Sequence, residues 1–436
     1  MNSIVIRGVL VGALAGLLFG FDTAVIAGTT SGLQNAYHLS PQGLGFTVSS
    51  ALWGTLAGAL LAGVPGDRFG ARQCLKAIAL LYILSSAGCA LAWSWSALLT
   101  FRVMAGLAIG ASTVLAPVYL TEIAPRQWRG AMVGMFQFNI VVGILVAYLC
   151  NYLIGGLQLG PDEWRWKFSL AVMPGFILIA LLFTIPQSPR WLALKGRIAE
   201  ARQILHDIAP GIGPAEENAI LLHEPAEDGK LSWAKYKKPI LLAFAIAAFN
   251  QLAGINAILY YINDIFASAG FSKVSADQQA IVIGATNFLF TLPALYLIDR
   301  IGRKTLLLIG SVGLFITLVG TAAILLSGQH RELLLWMLVG FIASFAFSQG
   351  AVIWVYISEI FPTEVRARGQ SIGSSTHWGM DAIIATLFPI AASYSKGAPF
   401  LFFAAMVVLQ FVVVLFFFPE TKRAPLENIS AIITTS

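Results

Sequence analysis

Apolar stretches long enough to cross a lipid bilayer recur along this chain, and they limit its possible folds more than any other feature. A helix that crosses about 30 Å of hydrocarbon needs roughly 20 apolar residues at about 1.5 Å each. Because an unpaired backbone group in lipid costs several kcal/mol, such stretches are predicted to be helical. Twelve are present, near residues 8–30, 44–65, 75–94, 97–121, 130–155, 166–185, 239–266, 278–298, 305–327, 332–358, 369–392 and 398–418.

The composition excludes the soluble classes of protein. Apolar residues make up 58% of the 436 residues, and Asp, Glu, Lys and Arg make up only 11%, where an average soluble domain has about 25% charged residues. A soluble enzyme and a soluble nucleic-acid binder are therefore excluded. The three cysteines are odd in number and show no metal-ligand spacing, so neither a disulfide framework nor a zinc site is predicted.

The basic residues predict the orientation of the spans. With both termini placed in the cytoplasm, 21 of the 27 Lys and Arg residues fall on or at the edge of that side, five fall on or at the edge of the outer side, and Arg102 alone lies well inside a span. This bias follows the positive-inside rule, so the net charge of +6 needs no nucleic-acid partner. The first span is too long for a secretion signal, and Asp22 interrupts it.

The chain is predicted to consist of two related halves. Six spans lie on either side of the polar stretch 187–238, which divides the sequence into an N-terminal bundle (1–186), a linker (187–238), a C-terminal bundle (239–419) and a short tail (420–436). Three motifs recur at offsets of 232 to 237 residues: 66–72 with 299–304, 122–130 with 359–366, and 186–190 with 419–423. Matching offsets indicate a duplicated six-helix unit.

The charged residues of these motifs allow two interpretations. They are either solvated helix-end turns or, since they recur at matching cytoplasmic helix ends, a shared latch of carboxylates and guanidinium groups that gates the inner side. The segment 191–208 is likewise either an amphipathic helix that braces the closed gate or a solvated linker helix. The candidate gating residues are Asp67, Arg68, Arg72, Glu122, Arg129, Arg190, Asp299, Arg300, Arg303, Glu359, Arg366 and Glu420.

Over essentially its whole length, the chain resembles the sugar porter family of the major facilitator superfamily. The residues that carry the resemblance are 16–28, the paired loop motifs, 186–192, 251–256 and 419–422. The resemblance implies an all-α membrane protein with the major facilitator fold, in which twelve transmembrane helices form two pseudo-symmetric six-helix bundles. It also implies a central sugar site, rocking access and no cofactor.

Asp22 and Arg102 are the strongest candidates for energy coupling. Counting along their spans places both in the outer third of the hydrocarbon core, where they are able to meet. The pair is either a permanent staple between helices or a switch in which protonation of Asp22 frees Arg102. The resemblance favours the switch, because proton-coupled sugar porters carry these two residue types at the matching positions.

A sugar site should combine neutral amides with an aromatic platform, since a sugar offers many hydroxyls and one weakly apolar face. Amides lie near mid-depth on spans 7 and 8, and Tyr260 and Tyr261 lie near the outer end of span 7. Gly254 within span 7 predicts a local opening of that helix. Trp354 and Trp378 match family positions that contact sugar. The other candidates are Asn250, Gln251, Asn256, Asn287, Tyr261, His377 and Asp381.

The chain departs from the family at several positions of the site and gate. It has Asn250 in place of one Gln on span 7, Ile144 in place of a Gln on span 5, and Gln187 in place of a Glu. His377 and Asp381 replace amides four residues apart on span 11. They form a second proton site, a binder of a substrate hydroxyl or amine, or an internally satisfied pair.

The resulting hypothesis is import of a monosaccharide, hexose or pentose, together with a proton across the inner membrane. A facilitative uniporter is the main alternative, and a sugar sensor or an intramembrane enzyme is less well supported. The five histidines show no ligand spacing, so no metal is predicted, and no nucleotide-binding loop is present. The expected partners are sugar, proton and the lipid bilayer, without nucleic acid or nucleotide, and the protein is expected to act as a monomer.

Overall fold

The computed structural model describes residues 3–124, 129–221, 231–362 and 365–422, and every regular element in them is a helix. The helices of the first half are α1 (Ser3–Val25), α2 (Thr30–Tyr37), α3 (Pro41–Leu61), α4 (Gly63–Phe69), α5 (Ala71–Ala90), α6 (Trp95–Ile123), α7 (Arg129–Gly156), α8 (Glu163–Leu170) and α9 (Val172–Phe183). Three short helices follow: α10 (Pro189–Leu194), α11 (Ile198–Ile208) and α12 (Pro214–Leu221). The second half contains α13 (Trp233–Leu252), α14 (Ile255–Tyr260), α15 (Ile262–Ser268), α16 (Lys273–Ile301), α17 (Arg303–Ser327), α18 (Leu334–Phe347), α19 (Gln349–Glu359), α20 (Arg366–Tyr394) and α21 (Ala398–Phe417).

The membrane-spanning helices agree with the prediction from the sequence. Eleven helical stretches of the described residues are long and apolar enough to cross a bilayer. The remaining predicted span, 369–392, corresponds to α20. Its 29 residues are long enough to cross a bilayer but include His377 and Asp381 among several polar residues. Twelve predicted spans are therefore present as helices.

Span 7 is interrupted at the glycine that predicted a local opening. Gly254 separates α13 from α14 with a φ of +89°, a left-handed conformation that glycine adopts readily. A Cβ atom at this position would also lie 2.3 Å from the ring of Phe403. The break places Gln251 and Asn256 on two separate helices, so it shapes the site described below.

The linker departs from the prediction of one helix over 191–208. The structure has two helices, α10 and α11, which are separated at Gly196, where φ is +76°. The single-helix prediction is wrong because this turn folds α11 back, so that Leu192, Ala201 and Leu205 form a small apolar core with Leu221. Residues 222–230 of the predicted linker and 423–436 of the predicted tail lie outside the described residues.

The first compact unit comprises residues 1–25, 50–150 and 162–226. In it α1 packs against α6 and α9, and α5 packs against α6, α8 and α9. Glycines allow α1 and α7 to approach closely: a Cβ atom at Gly20 would lie 1.8 Å from the Ile140 carbonyl oxygen, and one at Gly143 would lie 2.3 Å from that of Leu17. Small residues at such contacts are typical of membrane helices.

The second compact unit comprises residues 26–49, 151–161 and 227–436. In it α17 packs against α18 and α21, and α13 packs against α20. Two segments of the first half, 26–49 and 151–161, belong to this unit. The Thr30 hydroxyl donates to Oδ1 of Asp264 at 3.1 Å. The compact units differ in these two segments from the domain limits that the sequence repeat predicts. Those limits stay a prediction.

Candidate functional site

The first unit holds an ion pair within its membrane helices. Nη1 of Arg102 on α6 donates to both carboxylate oxygens of Asp22 on α1, at 3.0 and 3.1 Å. Arg102 is 2% exposed and Asp22 is 7% exposed. The predicted contact is therefore confirmed, while its role in proton coupling stays a prediction.

A second ion pair in the same unit was missed by the sequence analysis. Nζ of Lys167 lies 2.7 Å from Oε1 of Glu163, one turn away on α8, and both side chains are buried. The guanidinium of Arg102 lies over the ring of the neighbouring Phe168, 5.7 Å from its centroid. Opposite charges four residues apart, next to an apolar span, are the sequence signal from which this pair could have been predicted.

In the second unit, amides of α13 meet the histidine of α20. Nε2 of Gln251 donates to Oδ1 of Asn250 at 3.2 Å and lies 3.2 Å from Nε2 of His377. All three residues are buried. The imidazole therefore hydrogen-bonds an amide of the candidate sugar site, in keeping with its position in place of a family amide.

Asp381, one turn further along α20, binds different partners. Its Oδ2 accepts a hydrogen bond from Nδ2 of Asn256 at 2.8 Å and another from the Tyr260 hydroxyl at 3.0 Å. His377 and Asp381 thus each contact α13 or α14, and the described hydrogen bonds do not join them to each other. Tyr260 is not among the predicted site residues, because the sequence does not show which of the two adjacent tyrosines faces α20.

The aromatic candidates differ in what they contact. The ring of His377 lies between two tryptophans, with centroids 5.1 Å from Trp354 and 5.0 Å from Trp378. The Tyr261 hydroxyl donates to the Ala385 carbonyl oxygen at 2.8 Å, and its ring stacks on Phe388. Tyr261 therefore links the end of α14 to α20. Its role in sugar binding stays a prediction.

One further sequence candidate, Asn287, is not part of this hydrogen-bonded group in the described residues. Asn287 on α16 is buried, and among the described residues its side chain is not joined to the group. Ile144, the residue in place of a family Gln, is buried on α7 of the first unit. The structure thus brings Asn250, Gln251, Asn256, His377, Trp354, Trp378 and Asp381 together in one unit.

The gating motif of the second unit forms a complete charged network. Arg303 contacts Glu359 through two hydrogen bonds of 2.6 and 3.1 Å and lies 2.9 Å from Asp299. Glu420 accepts hydrogen bonds from the backbone N–H groups of Arg303 and Lys304 at the start of α17, at 2.9 and 3.0 Å. This carboxylate therefore caps a helix N-terminus, where its charge is favoured.

The matching motif of the first unit lacks two of these charges. Ala71 stands where the second unit has Arg303, and Gln187 stands where it has Glu420. Nε2 of Gln187 donates to the Phe69 carbonyl oxygen at 3.2 Å instead of accepting from the helix start. The latch of the first unit is consequently weaker in ionic contacts than that of the second.

The remaining predicted gating residues have varied surroundings. Glu122 hydrogen-bonds Ser188 and is close enough to Arg190 for electrostatic attraction. Arg72 donates to the Leu182 carbonyl oxygen at 3.2 Å. Asp67, Arg68 and Arg300 are exposed, Arg366 donates to the Phe361 carbonyl oxygen at 3.3 Å, and the side chain of Arg129 lies outside the described residues.

A pair of tyrosines shows the internal repeat in three dimensions. The Tyr119 hydroxyl donates to the Pro186 carbonyl oxygen at 2.9 Å in the first unit. The Tyr356 hydroxyl donates to the Pro419 carbonyl oxygen at 3.3 Å in the second. These residues are separated by the offsets of the motifs, so the duplicated sequence forms the same contact twice.

Comparison with known proteins gives full-length matches. A family described as "Sugar (and other) transporter" matches residues 8–433. The arabinose-proton symporter of Bacillus subtilis is 35% identical over 95% of this chain and 92% of its own length. The D-xylose-proton symporter of Escherichia coli is 32% identical over 97% of this chain and 94% of its own. The partially occluded, inward-open structure of the Escherichia coli xylose transporter superposes with a TM-score of 0.87 at 31% identity, covering 97% of this chain and 100% of that one.

Proposed function

Because this chain belongs to the sugar transporter family of the major facilitator superfamily, we propose that it is a secondary active transporter that imports a monosaccharide with a proton by alternating access. It is a multi-pass membrane protein and not an enzyme. Its relatives are described as symporters of arabinose and of D-xylose and as a glucose transporter. The proposed substrate is accordingly a hexose or a pentose.

The buried contact of Asp22 with Arg102 is the observation that carries proton coupling. A carboxylate and a guanidinium in a membrane interior are stable mainly as a pair, because either charge alone costs several kcal/mol. A proton that binds Asp22 removes one charge of the pair and releases Arg102. Proton uptake therefore changes the contact between α1 and α6, which a facilitative uniporter does not require.

The amides and aromatic rings of the second unit form the proposed sugar site. Gln251 and Asn256 supply hydrogen-bond donors and acceptors to hydroxyl groups, and Trp354 supplies an apolar face. The break at Gly254 allows these two amides to move on separate helices. The charged motifs at the helix ends are proposed to gate the cytoplasmic side, with both termini in the cytoplasm of an inner-membrane monomer.

Transport by the purified protein in proteoliposomes tests this function. Arabinose, D-xylose and glucose are offered as radiolabelled substrates with and without a pH gradient of one unit, at zero membrane potential. Each proton carried with the sugar is expected to raise steady-state accumulation about tenfold, because one pH unit corresponds to about 1.4 kcal/mol. Sugar that merely equilibrates in the wild type would identify a uniporter.

Asp22→Asn is the diagnostic variant, because it retains the shape of the side chain but never binds a proton. It is expected to reduce accumulation about tenfold at a gradient of one unit, while sugar exchange across the membrane continues. Glu163→Gln serves as the control, since it also neutralises an acid in a buried ion pair. Unchanged accumulation in Asp22→Asn would contradict the assignment of coupling to this pair.

A further inference from the structure

Asp381 is another buried acid within the membrane helices, and its surroundings differ from those of Asp22. It is 1% exposed. Its Oδ2 accepts from Asn256 and from Tyr260, which are both neutral donors. Its Oδ1 is buried and has no hydrogen-bond partner among the described residues. Asp22, by comparison, has a guanidinium in contact with both of its oxygens.

No cation offsets a charge on Asp381 among the described residues. The ion pairs of the second unit, such as Arg303 with Glu359 and Asp299, do not include it. The helices that pack against α20 include α13, α14, α19 and α21, together with α3, which approaches it where Gly45 meets Thr386 and which carries no titratable side chain. Their titratable or charged groups, together with those of α20, are Lys235, Tyr236, Lys237, Lys238, Tyr260, Tyr356, Glu359, Arg366, Arg368, His377 and Tyr394, with Tyr261 next to α14.

These groups do not neutralise a carboxylate at position 381. The three lysines lie in the first two turns of α13, more than three turns before Gln251. His377 is engaged by Gln251, and Tyr260 is neutral. An ionised carboxylate that is buried without a cation costs several kcal/mol, whereas a neutral carboxylic acid costs much less. An ionised Asp381 therefore depends on its hydrogen bonds from Asn256 and Tyr260, and loss of either bond favours the protonated form.

The hydrogen bonds of Asp381 leave one of its two oxygens open to a proton. A neutral carboxylic acid has one carbonyl oxygen, which accepts, and one hydroxyl oxygen, which carries the proton. In Asp381 both donors converge on Oδ2, and Oδ1 accepts from neither. A proton is therefore able to bind at Oδ1 without displacing either donor from Oδ2.

We propose that Asp381 is a second proton-binding group of the transporter, which takes up its proton together with sugar because it controls the sugar-site amide of Asn256. The inference rests on the proposed function. An ionised Asp381 holds Asn256 and Tyr260 by charge-assisted hydrogen bonds, which are roughly twice as strong as neutral ones. Protonation weakens that hold and frees the Asn256 amide for a sugar hydroxyl. By linkage, sugar binding then favours proton binding to the same extent.

Asp381 is on this basis a positioning residue, since it acts on sugar through Asn256. The family amide at this position, as noted from the sequence, is neutral at every pH and is not able to contribute a transported proton. Two protons per sugar are therefore expected for this chain, one at Asp22 and one at Asp381. A purely structural role for Asp381 would leave the number of transported protons unchanged.

The proton stoichiometry in proteoliposomes tests the proposal, with whichever of arabinose, D-xylose and glucose is transported fastest as the probe. At a gradient of one pH unit and zero membrane potential, the wild type should accumulate this sugar roughly 100-fold, because each proton contributes about tenfold. Asp381→Asn and Asp22→Asn should each give roughly tenfold accumulation, and the double variant should give none. Asp381→Glu, which still binds a proton, should restore the wild-type ratio.

A matched control is Asp277→Asn, since Asp277 is equally buried but hydrogen-bonds Asn263 away from the sugar-site amides. It should leave the ratio unchanged. Proton uptake on sugar binding, followed with a pH indicator in weakly buffered detergent solution, gives a second measurement, and Asp381→Asn should take up one proton fewer than the wild type.

Two results would overturn the proposal. One is a roughly tenfold accumulation of sugar by both the wild type and Asp381→Asn. Roughly tenfold accumulation by the wild type already contradicts two protons per sugar, even where the variant does not fold. The other is preferential transport of an amino sugar that Asp381→Asn loses, since a substrate ammonium would then supply the positive charge. Absence of any accumulation in the wild type would instead contradict the proposed function itself.

Discussion

Removing one partner of the Asp22–Arg102 pair is expected to destabilise the protein much more than removing both partners. At the observed separation of 3.0 Å, Coulomb attraction with an effective dielectric constant of about 20 amounts to about 5.5 kcal/mol. Loss of one partner of a buried pair costs about 3–5 kcal/mol, because the other charge is left without compensation. Replacement of both partners by neutral side chains is close to neutral.

The two single variants should differ from each other. Asp22→Asn leaves the guanidinium charged, since arginine does not release its proton in proteins, and should lower the free energy of unfolding by about 3 kcal/mol or more. Arg102→Met leaves a carboxyl group that is able to become neutral by binding a proton. Its effect should be smaller and should decrease as the pH is lowered.

Denaturant unfolding of the purified protein in detergent, followed by tryptophan fluorescence, measures the free energy for the wild type, both single variants and the double variant. The cycle should give an interaction energy of about 3 kcal/mol or more, because the double variant retains more stability than the sum of the single effects allows. Additive effects, with an interaction energy near zero, would refute the view that each charge of this pair offsets the energetic cost of burying the other.

The same unfolding assay checks three further expectations. Gly143→Ala should cost about 1–3 kcal/mol, because its Cβ atom would lie 2.3 Å from a carbonyl oxygen of α1, whereas Gly134→Ala on the same helix meets nothing within 4 Å and should be neutral; equal effects would contradict this. Glu420→Gln should lower the free energy of unfolding by about 1 kcal/mol and Gln187→Glu should raise it by a similar amount, since a carboxylate caps a helix start better than an amide does. A lower free energy of unfolding in both variants would refute the comparison of the two latches. Thr30→Val should cost about 1–2 kcal/mol because it removes a donor to a buried carboxyl of α15, and Thr30→Ser, which keeps the hydroxyl, is the control that should not.

Much of the fold follows from local properties of the sequence. Apolar stretches of membrane-spanning length predicted the twelve helical spans, because hydrocarbon forces backbone groups to pair within each segment. The break in span 7 followed from Gly254 alone, since a positive φ suits glycine. The linker was predicted less well, because the turn at Gly196 is stabilised by apolar contacts between α10, α11 and α12 that no local pattern shows.

The sequence predicted which residues belong to the candidate site, but it did not predict which of them form hydrogen bonds with each other. Depth along a straight helix is a simple count of residues, and it placed Asp22 and Arg102 at one level. It also placed the amides of spans 7 and 8 near mid-depth. Which side chains then meet depends on the rotation of each helix, so the engagement of Tyr260 rather than Tyr261 by Asp381 was not accessible from spacing.

The sequence by itself determined that the chain spans a membrane, that it contains a duplicated six-helix unit and that a few charged residues lie within it, because hydropathy and repeats are properties of the linear order. The tertiary structure decided which charges are compensated. Arg102 neutralises Asp22, whereas Asp381 meets only an amide and a hydroxyl among the described residues. This difference arises from how the helices pack and not from any residue near either acid in the chain.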